Sequence, residues 1–261
     1  MNISLTGKNA LVCGSSKGIG KASAEILARM GASITLMARS ENALKSVLQG
    51  LSTDAGQIHD YKVADFTKPT DLKAIIEELT SEKRIHILVN NTGGPPGGPI
   101  INADPEQFLS AYNMHIISSH TITQGVVSGM KEDGYGRIIN VISTSVKAPL
   151  NNLGVSNTTR GAMANWAKTM AGELGPFGIT VNNVLPGFTS TSRLEEIINN
   201  KTSKLNLTRD EVISAMESKV PLRRFASPDE VANGVAFLAS PAASYINGIN
   251  LPVDGGRTPS L

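Results

Sequence analysis

Three glycines lie close together near the amino terminus, in the segment Gly14-Ser15-Ser16-Lys17-Gly18-Ile19-Gly20. Because glycine has no β-carbon, a backbone of this kind approaches a pyrophosphate closely, and the free N–H groups and dipole of a following helix favour negative charge. The segment therefore predicts a phosphate-binding loop. A nucleoside-triphosphate loop does not fit, because it needs four residues between its glycines and then Lys-Ser/Thr, whereas Gly14 and Gly20 enclose five and Lys21 precedes Ala22.

The elements that must position this loop are visible as seven short apolar runs, which alternate with helical patterns and indicate buried parallel strands. The runs are residues 9–13, 33–38, 57–63, 85–89, 137–142, 180–185 and 249–253. After the first run, apolar residues recur at helical spacing from Ile19 to Met30, and Gly31 offers a left-handed stop. We therefore predict an α/β fold, a single doubly wound Rossmann-type parallel sheet of about seven strands, with helices on both faces and one domain over residues 1–261.

Two stretches interrupt the alternation. Residues 93–99, Gly-Gly-Pro-Pro-Gly-Gly-Pro, fit neither a helix nor a central strand, and they follow the fourth strand, where open sheets bind ligands. A rigid turn and a substrate-contacting loop are both open interpretations. Residues 188–225 are polar and helix-prone, which is typical of a lid but also of a solvated helical insert.

Composition narrows the classes of function. The 261 residues are 40% hydrophobic and 18% charged, as in an ordinary globular protein, and a formal net charge of +2 gives no broad positive surface for nucleic acid. No apolar run approaches the roughly 18 residues needed to cross a bilayer. The single cysteine, Cys13, cannot form an internal disulfide, and the amino terminus has no signal-peptide pattern. We therefore expect a cytoplasmic protein without nucleic-acid or membrane partners.

The end of the second predicted strand carries Arg39. In dinucleotide-binding folds a carboxylate at this place binds the ribose hydroxyls of NAD, whereas an arginine accommodates the extra phosphate of NADP. Lys17, inside the glycine loop, is a second cation for the same phosphate. The alternative is two solvated surface charges. We predict NADP as the cofactor, in preference to NAD.

The glycine spacing, with three residues and then one residue between successive glycines, resembles that of the short-chain dehydrogenase/reductase family. Further similar segments cover nearly the whole chain, and the layout is most similar to 3-oxoacyl-acyl-carrier-protein reductases. The segments are Asn90-Asn91-Thr92-Gly93, Pro186-Gly187 and Val253-Asp254-Gly255-Gly256. Besides the glycine loop and Arg39, the positions to which the resemblance assigns cofactor binding are Asp65, Phe66, Asn91, Gly93, Arg160, Pro186, Gly187, Thr189 and Thr191.

The resemblance also implies a catalytic tetrad of Asn, Ser, Tyr and Lys, and three of its positions differ here. Ser143 matches the serine at the end of the fifth strand. The tyrosine expected thirteen residues further is Ser156, and the expected lysine is Arg160. Counting without a gap places the asparagine position on His115. Asn113 is the alternative, but it lies about 200° away around the helix and would point elsewhere.

These differences change the source of the catalytic proton. In the family, a lysine four residues from the tyrosine lowers the tyrosine pKa, whereas the aliphatic hydroxyl of Ser156 is a far weaker acid. Arg160 keeps a positive charge and a planar donor fork, which suits ribose hydroxyls, an oxyanion or an acidic group of the substrate. His115 is a candidate replacement acid, with a packed or interface histidine as the alternative. Losing a general acid costs about 10² to 10⁴ in rate, so slow catalysis is compatible with the sequence.

Our leading hypothesis is an NADP-dependent oxidoreductase of this family, acting on a small carbonyl or alcohol substrate. Its catalytic groups are Ser143, Ser156, Arg160 and either water or His115. The alternatives are a dinucleotide-binding protein without hydride transfer, serving as a sensor or partner subunit, and a non-redox enzyme with a structural cofactor. We expect no catalytic metal, because His115 and His120 are five apart and Cys13 is alone. By analogy with the family we also expect a homotetramer, formed through the helices at 105–130 and 153–174.

Overall fold

A seven-stranded parallel sheet runs through the computed structural model, which describes residues 1–260. Its strands are β1 Asn9–Cys13, β2 Ser33–Ala38, β3 Asp60–Val63, β4 Ile87–Asn90, β5 Gly136–Val141, β6 Ile179–Pro186 and β7 Asn250–Val253. The strand order is β3-β2-β1-β4-β5-β6-β7, so the chain reverses direction across the sheet between β1 and β4. This order confirms the predicted doubly wound sheet, and it places a ligand-binding crevice at the carboxyl ends of β1 and β4.

Helices cover both faces of the sheet. They are α1 Gly18–Arg29, α2 Glu41–Gln49, α3 Pro69–Glu82, α4 Pro105–Tyr112, α5 Ser118–Glu132, α6 Gly154–Leu174, α7 Ser192–Leu205, α8 Arg209–Glu217 and α9 Pro228–Ala239. One apolar core packs α1, α2 and α9 against the sheet, and a second packs α3, α5 and α6 against the other face. None of the helices described is long and apolar enough to span a bilayer.

Local sequence signals explain where several helices begin and end. The predicted stop after α1 is confirmed, because Gly31 has a φ of +99° and turns the chain into β2. At the start of α9, the Ser227 hydroxyl accepts the backbone N–H of Glu230, whose carboxylate accepts the backbone N–H of Ser227. This capping box satisfies N–H groups that would otherwise lack partners at the helix start.

Two details differ from the prediction. β3 and β7 are half-buried rather than buried, because each is an edge strand with a single neighbouring strand. The predicted helix at 105–130 is α4 and α5 joined by a π-helical turn at Asn113–Ile117. Such a turn inserts an extra residue and rotates the side chains around it. Within this turn His115 is buried and Asn113 is exposed, so the two side chains point in different directions, as predicted.

A row of asparagines crosses the sheet just below its carboxyl edge. The amide of Asn90 on β4 donates to Asn140 on β5 at 2.9 Å, Asn140 donates to Asn183 on β6 at 2.9 Å, and Asn183 donates to Asn250 on β7 at 2.8 Å. The backbone register aligns these four residues side by side. The row therefore ties β4, β5, β6 and β7 to one another, and it includes Asn90, the last residue of β4, from which a site loop leaves.

Candidate active site

One cavity of about 700 Å³ opens along the carboxyl ends of the strands. It joins the glycine loop after β1, the end of β2, the loop after β4, the end of β5, the first turns of α6 and the segment after β6. The predicted site residues that line it are Gly14, Ser16, Lys17, Gly18, Ile19, Arg39, Phe66, Asn91, Gly93, Ser143, Ser156, Arg160, Pro186, Gly187, Thr189 and Thr191. The predicted residues outside its wall are Ser15, Gly20, Asp65 and His115.

The glycines of the loop are required by the close approach of neighbouring backbone. Gly14 has a φ of +59°, and a β-carbon there would lie 2.5 Å from the carbonyl oxygen of Asn91. A β-carbon at Gly20 would collide with the carbonyl oxygen of Gly14. Asn91 holds the loop from the other side, since its amide donates to the carbonyl oxygens of Cys13 and Gly14 at 3.3 Å. Gly20 and the Asn91 amide therefore shape the loop.

The start of α1 has the properties of an anion site. Lys17 is the N-cap residue, no side chain caps the helix, and its first turn carries no acidic residue. The N–H groups at this end are thus available to a negatively charged group at the cavity wall. Ser15 has another role, because its hydroxyl accepts the backbone N–H of Met37 at 2.9 Å and ties the loop to β2.

The cavity wall is strongly cationic. Lys17, Arg39, Arg160 and Arg193 line it, and no aspartate or glutamate is among its described lining residues. Lys17, in the glycine loop, and Arg39, directly after β2, are both exposed. Asp65 is not one of the residues that line the cavity. Thr67 donates to its carboxylate from the backbone N–H at 3.0 Å and from the hydroxyl at 2.9 Å. These hydrogen bonds lower the pKa of Asp65.

Ser143, Ser156 and Arg160 all line this cavity. The Ser143 oxygen accepts the backbone N–H of Ser145 at 3.1 Å, which fixes the side chain and leaves its O–H free to donate. Ser156 and Arg160 lie one turn apart on α6. Arg160 is only 7% exposed and donates to the carbonyl oxygen of Val141 at 3.3 Å. Burial lowers the pKa of Arg160 to about 10, so the guanidinium stays charged at neutral pH.

None of the four tyrosines in the chain is among the described residues that line the cavity. The groups at its inner end that can donate a hydrogen bond are therefore hydroxyls and the guanidinium of Arg160. Over the same described part of the chain, no group of three or more His, Cys, Asp and Glu side chains is placed to hold a metal ion.

His115 lies behind the wall, in contact with Thr92, which does line the cavity. The imidazole Nδ1 is 2.6 Å from the Thr92 hydroxyl, and the imidazole is 2% exposed. Burial, together with the positive charge of Arg160, lowers the pKa of His115 to about 2. The ring is therefore neutral at ordinary pH and does not carry the proton of an imidazolium acid. The sequence placed Thr92 in the segment after the fourth strand, but it did not reveal that Thr92 pairs with His115.

The two stretches that interrupt the strand and helix alternation contact each other over the cavity. Gly93, Gly94 and Pro95 line it from one side, and Arg193 of α7 lines it from the other. The guanidinium of Arg193 donates to the Pro95 carbonyl oxygen at 3.1 Å and to Glu196 at 3.2 Å. The first turn of the inserted helices is thus tied to the loop after β4.

Comparisons with known proteins agree with this geometry. The family described as enoyl-(acyl carrier protein) reductase matches residues 14–258. The chain is 36% identical over 257 residues to a 3-oxoacyl-[acyl-carrier-protein] reductase of Vibrio cholerae, covering 97% of this chain and 98% of that protein. It is 29% identical over 256 residues to an NADPH-dependent reductase of Bacillus subtilis, covering 97% and 99%.

Among solved structures, L-sorbose reductase from Gluconobacter frateurii, complexed with NADPH and L-sorbose, is similar with a TM-score of 0.94 and 32% identity. That match covers 100% of both chains. Sequence, sheet topology and the glycine loop all lead to one assignment, and the chain belongs to the short-chain dehydrogenase/reductase family.

Proposed function

We propose that the protein is an NADP-dependent oxidoreductase that interconverts a small carbonyl compound and its alcohol. The observation that carries this proposal is the single cavity, which joins an uncapped helix start at Gly18 to the hydroxyls of Ser143 and Ser156. The Vibrio cholerae relative, named as a 3-oxoacyl reductase, supports reduction of a carbonyl group.

The residues present fit NADP. The helix start at Gly18 offers N–H groups to the pyrophosphate, and Lys17 and Arg39 offer two cations to the additional phosphate. The bound NADPH of L-sorbose reductase and the named cofactor of the Bacillus subtilis relative support the same choice. Pro186, Gly187, Thr189 and Thr191 would hold the nicotinamide half. When bound, the reduced cofactor supplies the hydride.

The chain's own residues would bind and polarise the substrate oxygen. The Ser143 O–H donates to it, because the serine oxygen already accepts from Ser145. The Ser156 hydroxyl makes no hydrogen bond to any described residue, and it is the second donor to the substrate oxygen. Arg160 stabilises negative charge on the oxygen electrostatically and holds ribose hydroxyls of the cofactor. Water supplies the proton, while neutral His115 positions the Thr92 hydroxyl at the wall.

A second candidate function is dinucleotide binding without hydride transfer, as in a sensor or partner subunit. The observation that favours it is that no tyrosine is among the described residues lining the cavity. The two functions make opposite predictions about a double variant, Ser156→Tyr with Arg160→Lys. A protein without hydride transfer should gain activity from this change, whereas an enzyme adapted to Ser156 and Arg160 should lose it.

The test begins with fluorescence titrations of NADPH and NADH and continues with turnover of a ketone panel that includes L-sorbose and a 3-oxoacyl thioester. The oxidoreductase proposal expects tight NADPH binding and consumption of NADPH that falls about 10- to 1000-fold in Ser143→Ala. Tight binding with no turnover by any ketone refutes it and supports the second candidate. Negligible binding of both coenzymes refutes both.

We further propose a homotetramer, formed through the faces of α4 and α6. Leu109 is 64% exposed and Tyr112 is 45% exposed, beside an apolar groove of about 510 Å³. The groove residues are Ala103, Pro105, Phe108, Leu109, Tyr112, Thr158, Thr159 and Ala162. Sedimentation at micromolar concentration tests this, and a monomer would contradict it. A cytoplasmic location stays a prediction from the single cysteine.

A further inference from the structure

Arg160 is a buried cation with no anion beside it. It is 7% exposed, and its only side-chain hydrogen bond within the described residues is the one to the Val141 carbonyl. It forms no ion pair with any described residue, and no described carboxylate lines the cavity around it. A guanidinium carries five N–H donors, so donors remain for a substrate group beside the Val141 carbonyl and the ribose hydroxyls proposed above.

A neutral ligand would leave the charge of Arg160 uncompensated. Hydroxyl groups can accept the free donors, but they do not neutralise a cation that folding has removed from water. The planar fork of a guanidinium matches the two oxygens of a carboxylate, and such bidentate pairs are among the strongest hydrogen bonds in proteins. The environment of Arg160 therefore favours a carboxylate over a ketone, an alcohol or an ester.

The position of Arg160 also lets a short acid reach both the guanidinium and the serines. Val141, whose carbonyl Arg160 contacts, lies two residues before Ser143 on extended backbone, which separates their Cα atoms by roughly 7 Å. Ser156, one turn before Arg160, is small and lines the same cavity. A compact molecule can therefore contact the guanidinium with a carboxylate and the serines with an oxygen a few bonds away.

We propose that the substrate is a short oxo acid, or the corresponding hydroxy acid, whose carboxylate pairs with Arg160 while its carbonyl or hydroxyl oxygen contacts Ser143 and Ser156. This inference rests on the proposed oxidoreductase function and names its substrate class. In the reductive direction the carbonyl carbon gains a hydride from NADPH, the carbonyl oxygen gains a proton from water, and the carboxylate is unchanged. The products are the hydroxy acid, NADP⁺ and hydroxide, and the hydroxide is neutralised by a proton from bulk solvent.

The proposal is tested by measuring, without any turnover, how tightly oxo acids and their methyl esters bind to the protein in the absence of cofactor. The probes are pyruvate, acetoacetate and levulinate, each beside its methyl ester, titrated by calorimetry into the wild type and Arg160→Gln. We expect at least one acid to bind the wild type about 10- to 100-fold more tightly than its ester, and to lose this advantage in Arg160→Gln. Arg160→Lys, which keeps the charge but not the fork, should retain part of it.

Two other arginines serve as controls. Arg137 is also buried, at 4% exposure, but its guanidinium contacts the carbonyls of Gly136 and Gly178 and it does not line the cavity. Arg193 lines the cavity mouth and is already paired with Glu196. Neither Arg137→Gln nor Arg193→Gln should weaken acid binding by as much as Arg160→Gln.

Three results would overturn the proposal. They are equal affinity for every acid and its ester, loss of acid binding in Arg193→Gln rather than Arg160→Gln, and displacement of the bound acid by an equal concentration of inorganic phosphate. The last would make the site a general anion site. Parallel titrations with NADPH distinguish a failure of this proposal from a failure of the proposed function. If the wild type binds an acid but not NADPH, the oxidoreductase function is contradicted, while the pairing of Arg160 with a carboxylate is not.

Discussion

Replacing Asn140 by alanine should destabilise the protein by about 2–6 kcal/mol. Asn140 is fully buried in the middle of the asparagine row and makes a hydrogen bond to each neighbour. Its removal leaves the Asn90 amide and the Asn183 carbonyl oxygen without partners, at 4% and 3% exposure. An unsatisfied buried polar group costs about 1–3 kcal/mol, and two such groups give the expected range.

Urea unfolding followed by circular dichroism measures this change. We expect a lower midpoint with an unchanged slope, which is the sign of lost stability in a similar native structure. Asn250→Ala is the matched control, because Asn250 is half-buried on the edge strand β7 and makes one bond in the row. Its loss should cost about 1–3 kcal/mol, because it leaves one buried group, the Asn183 amide, without a partner, whereas Asn140→Ala leaves two. The reasoning is refuted if Asn140→Ala costs no more than Asn250→Ala, since the central position would then carry no extra penalty.

Two further predictions concern single charged or titratable groups. Arg39→Asp should weaken NADPH binding about 10- to 100-fold, because a charge-assisted bond to the extra phosphate contributes about 1.5–3 kcal/mol. NADH binding, which lacks that phosphate, should stay within a few-fold of the wild type. Fluorescence titration measures both affinities, and an equal loss for the two coenzymes would contradict the prediction. His115 has a pKa of about 2 in the folded protein and an ordinary pKa of about 6.5 in the unfolded chain. Below about pH 6.5 the unfolded chain therefore binds a proton that the native protein does not. The free energy of unfolding should fall as the pH decreases through this range. Urea unfolding at pH 7 and pH 5 measures this decrease in the free energy of unfolding. The decrease should be smaller in His115→Asn than in the wild type, by up to about 1.4 kcal/mol per pH unit. Identical decreases in the two proteins would exclude this contribution of His115.

The sequence predicted the parts of the fold that depend on local rules. Strand runs are visible because a buried parallel strand is apolar on both faces, as in β1 and β2. Gly14 and Gly31 were informative because their left-handed backbone is a property of the residue itself. Arg39 could be placed because it directly follows a strand end. The edge positions of β3 and β7 could not be predicted, because the residues of a strand do not show whether one or two strands pair with it.

The roles of individual site residues were harder to predict, because they depend on partners distant in the chain. Ser15 bonds to Met37, so a loop residue that seemed available to the cofactor is directed to β2 instead. Asn91 and the glycine loop are separated by 77 residues, yet their contact shapes the loop. The π-helical turn that contains His115 has no recognised signal in the sequence.

The sequence by itself determined the parallel sheet, and it predicted a glycine loop for a pyrophosphate, cations at Lys17 and Arg39, and a serine, Ser143, at the end of the fifth strand. Each of these follows from residue type and short spacing. The tertiary structure alone decided that His115 is a neutral partner of Thr92, that four asparagines form one row, and that Arg160 is buried without an anion. Protonation and pairing depend on the surroundings of a group, and folding creates those surroundings from parts of the chain that are far apart in sequence.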